Sequence, residues 1–354
     1  MFCTVQDEVI DFEVRELAIN NAIAGFNNTY SEYSIIQLNP LGYQTETLKY
    51  VKVPIGLYAK RLDVDVHVIA CNYIYKKNLE LAIKKINPDL KILSIIYMGN
   101  AASSAVLTDS EMEIGVIHID IGGDTVNVNV FEDNKQIMSF GINCGGNYLT
   151  SCIARSLSIS MQLAEKLKCK HGIASYSLVP RNMKASVIRE SSGLNIALPY
   201  VESIHIELRI LCNIINLALI NIFNNIFKKI IQNGTTRIKS LEICSGVVLT
   251  GETANLSGID SVLRTFLSDF GKKNNSFLRC APKVKIGIPI GIEQINNNLS
   301  PEAVCNPENA GVIGLLKHAY RDDFIEKTIN RKDPRKNDKT GFITAAANWL
   351  KKEF

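Results

Sequence analysis

The chain has 354 residues, of which 46% are hydrophobic and 21% charged, and this ordinary balance excludes wholesale disorder. Lys and Arg number 39 against 35 Asp and Glu, and the formal net charge of +4 is too small to predict nucleic-acid binding. At about 150 residues per domain, the length predicts two or more domains.

Nine cysteines are scattered along the chain without C-x-x-C spacing and without a nearby pair of histidines. An odd number dispersed through apolar segments favours reduced thiols in a cytoplasmic core over a disulfide or zinc framework. The start of the chain has no basic region and no long apolar stretch, which predicts a cytoplasmic protein without a secretory signal. His67 and His118 fall in apolar strand patterns, where one hydrogen bond each would suit a core histidine. No Ser-His-Asp arrangement or carboxylate pair supports hydrolase chemistry of those kinds.

In chain order, residues 1–65 combine a charged helical pattern at 7–24 with short extended segments such as 34–38, which predicts a small α+β module. Strand, helix, strand and helix patterns then alternate at residues 64–71, 78–86, 92–97 and 99–107. This alternation is typical of a parallel α/β layer.

The clearest strand pattern is the apolar run at residues 115–121, which is typical of a buried strand. Gly122-Gly-Asp-Thr125 turns the chain into the alternating segment 126–130, and residues 136–140 are predicted to pair back as a third strand.

A largely helical region is predicted over residues 148–231. Within it, residues 210–227 carry no charge and approach the length of a membrane span. Five asparagines gather on about half of the helix circumference, so an amphipathic packing helix is favoured over a span.

The sheet pattern resumes near the end of the folded region, with strands at residues 245–251 and 284–288 and helices at 262–270 and 311–320. Residues 321–340 are charged, interrupted by proline and without an apolar face, which predicts a flexible linker.

The last segment, residues 341–354, is predicted to form an amphipathic helix. Its apolar side carries Phe342, Ile343, Ala346, Trp349, Leu350 and Phe354. Lys351 and Lys352 fall on the other side, together with Thr344 and Asn348. Aromatic residues on one face and lysines on the other suit a lipid interface, so the six apolar residues and the two lysines are membrane-binding candidates. Docking of the helix on the body of the protein or on a partner protein is the alternative, and the preceding linker favours the membrane.

Two glycine-rich turns are candidates for phosphate binding. Residues 120–125 lie between two strands, where glycines let backbone N–H groups approach anionic oxygens and a strand-end Asp can hold magnesium through water. Residues 247–254 form the second turn. Each alone is also compatible with an ordinary tight turn.

The order of these pieces resembles the actin-like ATPase superfamily, and the details resemble the FtsA family of bacterial division proteins. The segments that carry the resemblance are residues 98–108, 120–125, 145–154, 164–172, 246–251 and 348–354. The resemblance implies an α/β fold of the actin-like (ribonuclease-H-like, duplicated) type with a small inserted α+β module. It also implies a division of the chain into domains.

Those domains are the inserted module at 1–65, the remainder of the first actin-like domain at 66–113, and a second, nucleotide-side domain at 114–145 and 238–320. A helical subdomain occupies 146–237, followed by the linker at 321–340 and the membrane-targeting helix at 341–354.

The resemblance implies ATP and Mg²⁺ as cofactors. The implied nucleotide-binding residues are Asp120, Gly122, Gly123, Thr125, Glu165, Lys168 and Gly251. In the family pattern the loop glycines and the threonine face the phosphates, Asp120 lies near the metal, and Glu165 and Lys168 flank the ribose and adenine. Without the resemblance, a solvated charge pair and plain turn glycines explain the same residues.

Three positions depart from the family pattern. Asp124 and Glu252 place carboxylates where the family usually has glycine, and Cys152 stands where an acidic residue is typical. No D/E-I-G-T hairpin precedes the small module, so we expect a first domain without its leading strands and first phosphate loop. These departures predict weak or absent ATP binding and no hydrolysis.

By the same resemblance, the chain tethers FtsZ filaments of the Z ring to the inner face of the cytoplasmic membrane at the division septum. It would self-associate and help to recruit later division proteins, with FtsZ's tail on the helical subdomain around residues 147–237 and no nucleic-acid partner. The small module would contact neighbouring subunits and later division proteins. The alternatives are an active actin-like ATPase or kinase and a decayed copy of the family with impaired function.

Overall fold

The structure, a computed structural model, describes residues 2–4, 9–49, 51–180, 184–188, 203–233, 246–274, 283–290 and 304–320. Contacts between residues divide the chain into two compact units. The first comprises Met1–Tyr97 and Phe131–Ser139, and the second comprises Met98–Val130 and Phe140–Phe354. The predicted linker and terminal amphipathic helix, residues 321–354, lie outside the described residues.

The first unit contains a three-stranded antiparallel sheet and two helices. Its elements are β1 (Phe2–Thr4), α1 (Phe12–Thr29), β2 (Tyr33–Gln44), β3 (Arg61–Asn72) and α2 (Tyr73–Ile86), with strand order β1-β3-β2. The helix predicted from residue 7 begins at Phe12, because the side chain of Asp11 caps it by accepting the N–H of Val14 at 2.8 Å. Ala18 and Ala22 of α1 pack against Leu62 and Val64 of β3 in a small apolar core.

The strand predicted at residues 92–97 is wrong. These residues follow α2 without forming a strand. The apolar run has the composition of a strand, but a strand also needs a neighbour, and none of the described strands pairs with this segment. The helix before it differs from prediction as well, since it begins five residues earlier, at Tyr73, where Asn72 caps it.

The second unit is built around a mixed five-stranded sheet of order β10-β9-β4-β5-β6. Its strands are β4 (Val116–Ile121), β5 (Val126–Glu132), β6 (Lys135–Ile142), β9 (Val247–Thr250) and β10 (Val284–Ile286), and a separate pair is β7 (Lys184–Ile188) and β8 (Ser203–Glu207). Its helices are α3 (Met98–Val106), α4 (Asp109–Ile114), α5 (Gly146–Leu157), α6 (Met161–His171), α7 (Leu208–Asn233), α8 (Ile259–Asn274) and α9 (Ala310–Tyr320). The distal part of the β5–β6 hairpin, Phe131–Ser139, is grouped with the first unit.

The central strand β4 is buried along its whole length and pairs in parallel with β9. The sequence predicted this strand and the following hairpin. The hairpin turns at Asp133 and Asn134, whose φ angles of 53° and 60° suit the two-residue turns that fit the right-handed twist of a hairpin.

Two helices of small residues cross closely at one side of the unit. A Cβ added at Gly314 of α9 would overlap the carbonyl of Ala101 in α3. The small side chains predicted at residues 101–105 therefore serve helix packing.

Helix α7 contains the uncharged segment, and it is the one helix within the described residues that is long and apolar enough to cross a membrane. Half of its most apolar window is buried inside the protein. The buried side chains recur at helical spacing and are Leu208, Leu211, Cys212, Ile215, Ala218, Leu219, Ile222, Phe223, Ile226, Phe227 and Ile230. Asn213, Asn221 and Asn225 are exposed on the other side. The predicted packing helix is confirmed.

Two features of this unit correct the sequence analysis. The helical region predicted at 148–231 includes β7 and β8, which pair antiparallel with Lys184 opposite Glu207. Their alternating sequences carry the period of two that a strand requires.

The cysteines are also less buried than expected: of the six that the structure describes as free thiols, Cys212 is buried, whereas Cys169 and Cys305 are exposed.

Candidate nucleotide site

The end of β4 positions Asp120, whose side chain is buried with 8% of its surface exposed. One carboxylate oxygen accepts the hydroxyl of Thr250 at 3.0 Å, and the other accepts the amide of Asn127 at 3.2 Å. Thr250 lies directly opposite Asp120 in the parallel β4–β9 pair, so the register of the sheet creates this contact. Burial raises the pKa of Asp120 above its ordinary value, against the effect of the two hydrogen bonds.

His118 extends this arrangement by one residue. Its Nε2 lies 2.9 Å from the hydroxyl oxygen of Thr250. Because Thr250 donates its proton to Asp120, it must accept from His118, which assigns the proton of the neutral ring to Nε2. Burial lowers the pKa of His118 to about 3. The hydrogen bonds from His118 to Thr250 and from Thr250 to Asp120 therefore fix the orientation of the Asp120 carboxylate. The single hydrogen bond predicted for His118 is confirmed. That predicted for His67 is confirmed as well, since its Nε2 lies 3.1 Å from the hydroxyl of Ser139.

The first glycine loop, residues 122–125, packs against the start of α5. The carbonyls of Gly122 and Gly123 accept the N–H groups of Gly146 and Asn147 at 2.8 and 2.7 Å. A side chain at Gly145 would collide with this loop, since its Cβ would overlap the carbonyl oxygen of Gly122. The carbonyls of Gly122 and Gly123 thus hold the loop against the first turn of α5.

The N–H side of the same loop is open. In the part of the chain that the structure describes, the N–H groups of Gly123, Asp124 and Thr125 have no protein acceptor. Consecutive free N–H groups in a turn form a concave donor set that suits a phosphate. The carboxylate of Asp124 is exposed on this loop and is held by the amide of Asn147 at 2.7 Å.

The second loop meets the first. Gly251 has a φ of +89°, and a Cβ there would overlap the backbone of Ile121, so only glycine fits the position without strain. Thr253 donates its hydroxyl to the carbonyl of Gly122 at 3.4 Å. Glu252, between them, is exposed. The structure therefore brings the two predicted glycine loops together.

Glu165 and Lys168 of α6 lie beside the same loops. Their side chains form an ion pair at 2.9 Å, and Lys168 also donates to the carbonyl of Gly146 at 3.2 Å and the hydroxyl of Thr150 at 3.0 Å. Glu165 accepts hydrogen bonds from Thr150 and from Cys169. Burial opposes ionisation of Glu165, but the hydrogen bonds with Thr150, Lys168 and Cys169 outweigh it, and its pKa is lowered. Lys168 is thus engaged with three acceptors and locks α6 to the start of α5.

All seven candidate nucleotide residues consequently lie in one place. The sequence analysis missed the residues that hold them there: His118, Asn127, Asn147, Thr150, Thr250 and Thr253. Polar residues inside apolar strands were the available signal for His118 and Thr250, whereas nothing in the sequence indicated the contacts between the loop and α5. The eight membrane-binding candidates of residues 342–354 lie outside the described residues.

The donor set of the first loop fits a phosphate, but the charges around it do not favour one. Asp124 and Glu252 contribute two exposed carboxylates, and Lys168 is already paired. Across the described ranges, no group of three or more His, Cys, Asp or Glu side chains is placed to hold a metal ion. A magnesium ion near Asp120 would therefore be held largely through water and phosphate oxygens.

Solved structures share this fold. MreB5 of Spiroplasma citri bound to ADP gives a TM-score of 0.51 at 18% identity, over 74% of this chain and 69% of that chain. A chain of the PilM–PilN type IV pilus biogenesis complex gives 0.52 at 15% identity, over 90% of this chain and 76% of that chain. The glycine loops at the ends of β4 and β9 and these likenesses define an actin-like α/β protein, which confirms the predicted fold class.

The sequence comparisons identify the family. Residues 117–314 match the profile of Cell division protein FtsA, and residues 3–70 match that of the SHS2 domain inserted in FtsA. Cell division protein FtsA of Buchnera aphidicola subsp. Acyrthosiphon pisum is 30% identical over 332 residues, covering 92% of this chain and 71% of that protein. The Escherichia coli K12 protein is 25% identical over 331 residues, covering 91% and 71%. The chain belongs to the FtsA family of cell division proteins, as the sequence resemblance predicted.

Proposed function

We propose that this chain tethers FtsZ filaments of the Z ring to the inner face of the cytoplasmic membrane at the division septum. It self-associates and helps to recruit later division proteins, as an adaptor rather than an enzyme. The observation that best supports an adaptor over an enzyme is the charge of the two nucleotide loops. Asp124 and Glu252 are exposed there, and the ammonium of Lys168 is paired with Glu165.

ATP is at most a conformational ligand in this proposal. The N–H groups of Gly123, Asp124 and Thr125 would hold its phosphates, and Asp120 would face a magnesium ion through water. Two like charges near a phosphate oppose binding, because each repels the ligand in a partly dehydrated site. We therefore propose weak nucleotide binding without turnover.

Membrane attachment is assigned to residues 341–354. The pattern of Trp349, Leu350 and Phe354 against Lys351 and Lys352 supports an interfacial helix. The charged segment 321–340 would then act as the tether, and the remaining domain boundaries follow the sequence analysis. The match of residues 3–70 to the inserted SHS2 domain supports the small module at residues 1–65.

The docking site for FtsZ's tail is assigned to the edge of the helical subdomain, on a groove between its helix α7 and helix α8 of the nucleotide-side domain. The groove has a volume of about 390 Å³ and is lined by Asn216, Ile220 and Asn224 of α7 and by Thr265, Phe266 and Phe270 of α8. Aromatic rings with amides and hydroxyls around them suit a short peptide, because the rings bury its apolar side chains and the polar groups satisfy its backbone.

A flotation assay tests the proposal with the full chain. Liposomes of phosphatidylglycerol and phosphatidylethanolamine are mixed with the chain and with fluorescent FtsZ from the same organism, with and without Mg-ATP. We expect the chain to float and FtsZ to float in its presence alone, whether or not ATP is added. FtsZ that stays at the bottom of the gradient beside a floating chain would refute the adaptor role, and phosphate release at a steady rate would favour the ATPase alternative.

A further inference from the structure

The tip of the β5–β6 hairpin belongs to the first unit, although the two strands that carry it belong to the sheet of the second unit. We call this tip, residues 131–139, the arm. It turns at Asp133 and Asn134, which are both exposed. The arm contacts the three-stranded sheet of the first unit without joining it, since that sheet has the order β1-β3-β2. Side chains, rather than strand pairing, therefore hold the arm there.

Polar contacts join the arm to this sheet. Each pairs one residue of the arm with one residue of β2, β3 or the segment between them: Asp133 with Lys52, Lys135 with the carbonyl of Leu41, Gln136 with Asn39, and Ser139 with His67. The ion pair measures 3.5 Å and the amide pair 3.2 Å, and the hydroxyl of Ser139 lies 3.1 Å from Nε2 of His67. We call residues 39, 41, 52 and 67 the receiving face.

The contact between the arm and the receiving face is reversible. The side chains of Lys52 and Asp133 are 64% and 48% exposed, and exposed ion pairs add little stability in water. Among the residues that the structure describes, the apolar core of the first unit, which includes Leu62 and Val64, contains no residue of the arm. Because apolar burial is the dominant force in folding, the arm can leave its receiving face without disrupting that core.

The amide of Gln136 makes the contact specific. Gln136 is buried with 5% of its surface exposed, and its carbonyl oxygen accepts the amide of Asn39. The side-chain oxygen of Asn39 in turn accepts the amide of Gln37 at 3.0 Å. A buried amide that loses its partner carries the full cost of its desolvation. A surface that receives the arm must therefore offer matched amides, and a second copy of this chain carries them.

We propose that two copies of this chain exchange their arms, so that residues 131–139 of each copy dock on the receiving face of the other. The contacts that the exchange breaks within one chain are regained between two chains, and exchange of an identical element is a low-cost route to a dimer. Because the exchange is reciprocal, it closes a two-fold pair. The inference rests on the self-association proposed above and identifies the surface through which it occurs.

Zero-length cross-linking of the unmodified full chain tests the exchange. Equal amounts of isotope-labelled and unlabelled chain are incubated together until their mixing is complete, and a carbodiimide then joins Lys52 to Asp133 as an amide. A linked peptide pair with one labelled and one unlabelled member arises only between copies, and mass spectrometry identifies it. Lys285 and Glu111 of the second unit are the control pair, because they also form an ion pair but lie outside the arm and the receiving face.

The expected yield follows from the competition between the two kinds of contact. Contacts within one chain profit from an effective concentration on the order of mM, so at about 0.1 mM chain about a tenth of the Lys52–Asp133 links should join two copies. About half of those links should be mixed, and their share should rise with chain concentration. Links between Lys285 and Glu111 should stay within one copy.

Two charge-reversal variants test the same contact without cross-linking. Lys52→Glu and Asp133→Lys each set like charges against each other within one chain. When the two variants are mixed, a reciprocal exchange restores opposite charges at both contacts. We expect sedimentation to show about threefold or more dimer in the mixture than in either variant alone. Both positions are exposed, so neither change should prevent folding.

The exchange is wrong if mixed Lys52–Asp133 links are no more frequent than mixed Lys285–Glu111 links, or if the mixed variants form no more dimer than each alone. A chain that sediments as a dimer while its Lys52–Asp133 links stay within copies associates through another surface. That outcome refutes the exchange and leaves the proposed self-association intact. Failure of FtsZ to float with the chain refutes the tethering role alone.

Discussion

The carboxylate of Asp124 lies 2.7 Å from the side-chain amide of Asn147, so the charge on the first glycine loop is held in place by the first turn of α5. Asp124 is exposed, and the neighbouring N–H groups of Gly123 and Thr125 point to no protein acceptor in the described residues. The loop therefore presents donors and a fixed negative charge at the same place.

Asp124→Gly should strengthen Mg-ATP binding by about tenfold or more, because removing even 1.4 kcal/mol of repulsion gives about that factor. Calorimetry on the full chain measures it. Asp133→Gly is the matched control, since it removes the same charge from a glycine-compatible turn at the other end of β5 and should not change affinity. Micromolar affinity in the unmodified chain would contradict the proposed charge effect.

Thr250→Val should lower the free energy of unfolding by about 1–3 kcal/mol. The change keeps the volume but leaves Nε2 of His118 without its partner and removes one of the two hydrogen bonds that Asp120 accepts, leaving only that from Asn127. Urea unfolding followed by circular dichroism measures the change. Thr265→Val, on the exposed side of α8, should stay within about 0.5 kcal/mol. Equal stabilities for the two variants would show that the Asp120–Thr250–His118 chain does not stabilise the fold.

Acid should destabilise the protein partly through His118. Its pKa falls from an ordinary 6.5 to about 3 in the folded protein, so the unfolded chain binds this proton first. The stability contribution is complete above pH 6.5 and is lost as the pH falls from there toward 3, by up to about 1.4 kcal/mol per pH unit. His118→Gln, which can still donate to Thr250, should flatten the pH dependence of unfolding between about pH 6 and 4 by that slope. Parallel pH profiles for the two proteins would disprove this assignment.

Ile220→Lys should weaken binding of the FtsZ C-terminal peptide by about tenfold, because it places a charge in the groove between α7 and α8. Leu217→Lys is the control: Leu217 is on the same helix, is 54% exposed and does not line the groove. Fluorescence anisotropy with a labelled peptide separates the two. A peptide that binds both variants equally docks elsewhere.

Trp349→Glu should abolish flotation with anionic liposomes. Trp349 is central in the predicted apolar face, and losing its burial costs on the order of a few kcal/mol, comparable to the interfacial affinity of a short helix. Thr344→Glu adds the same charge on the polar side and should retain most binding. Higher salt should weaken flotation without eliminating it, because Lys351 and Lys352 contribute only about 1 kcal/mol each. A chain shortened to end at Asp338 that still floats would place the anchor elsewhere.

The parts of the fold that were predicted correctly are those with a local signal. The apolar run of β4, the glycine turn and the alternation in β5 each follow from neighbouring residues. The composition of residues 92–97 predicts a strand, but pairing depends on residues distant in the sequence, and none of the described strands pairs with this segment.

The residues of the candidate nucleotide site also differ in whether a local sequence signal predicts them. Its glycines and Asp120 could be predicted from the order of motifs, whereas the bond from Thr250 to Asp120 depends on the β4–β9 register and joins residues 130 positions apart. Glu165 and Lys168 were predicted as a pair, but their attachment to Thr150 and Gly146 follows from the packing of two helices, which no spacing within α6 indicates.

The junction between the glycine loop and α5 gives that helix a mechanical role. Hydrogen bonds from Gly146 and Asn147 fasten its first turn to the loop, and its body packs against α7, which forms one wall of the groove between α7 and α8. A displacement of the loop must either break those bonds or drag the helix with it. Helix α5 therefore stands between the first glycine loop and α7, so a change in the loop can reach the groove only through the contact of these two helices.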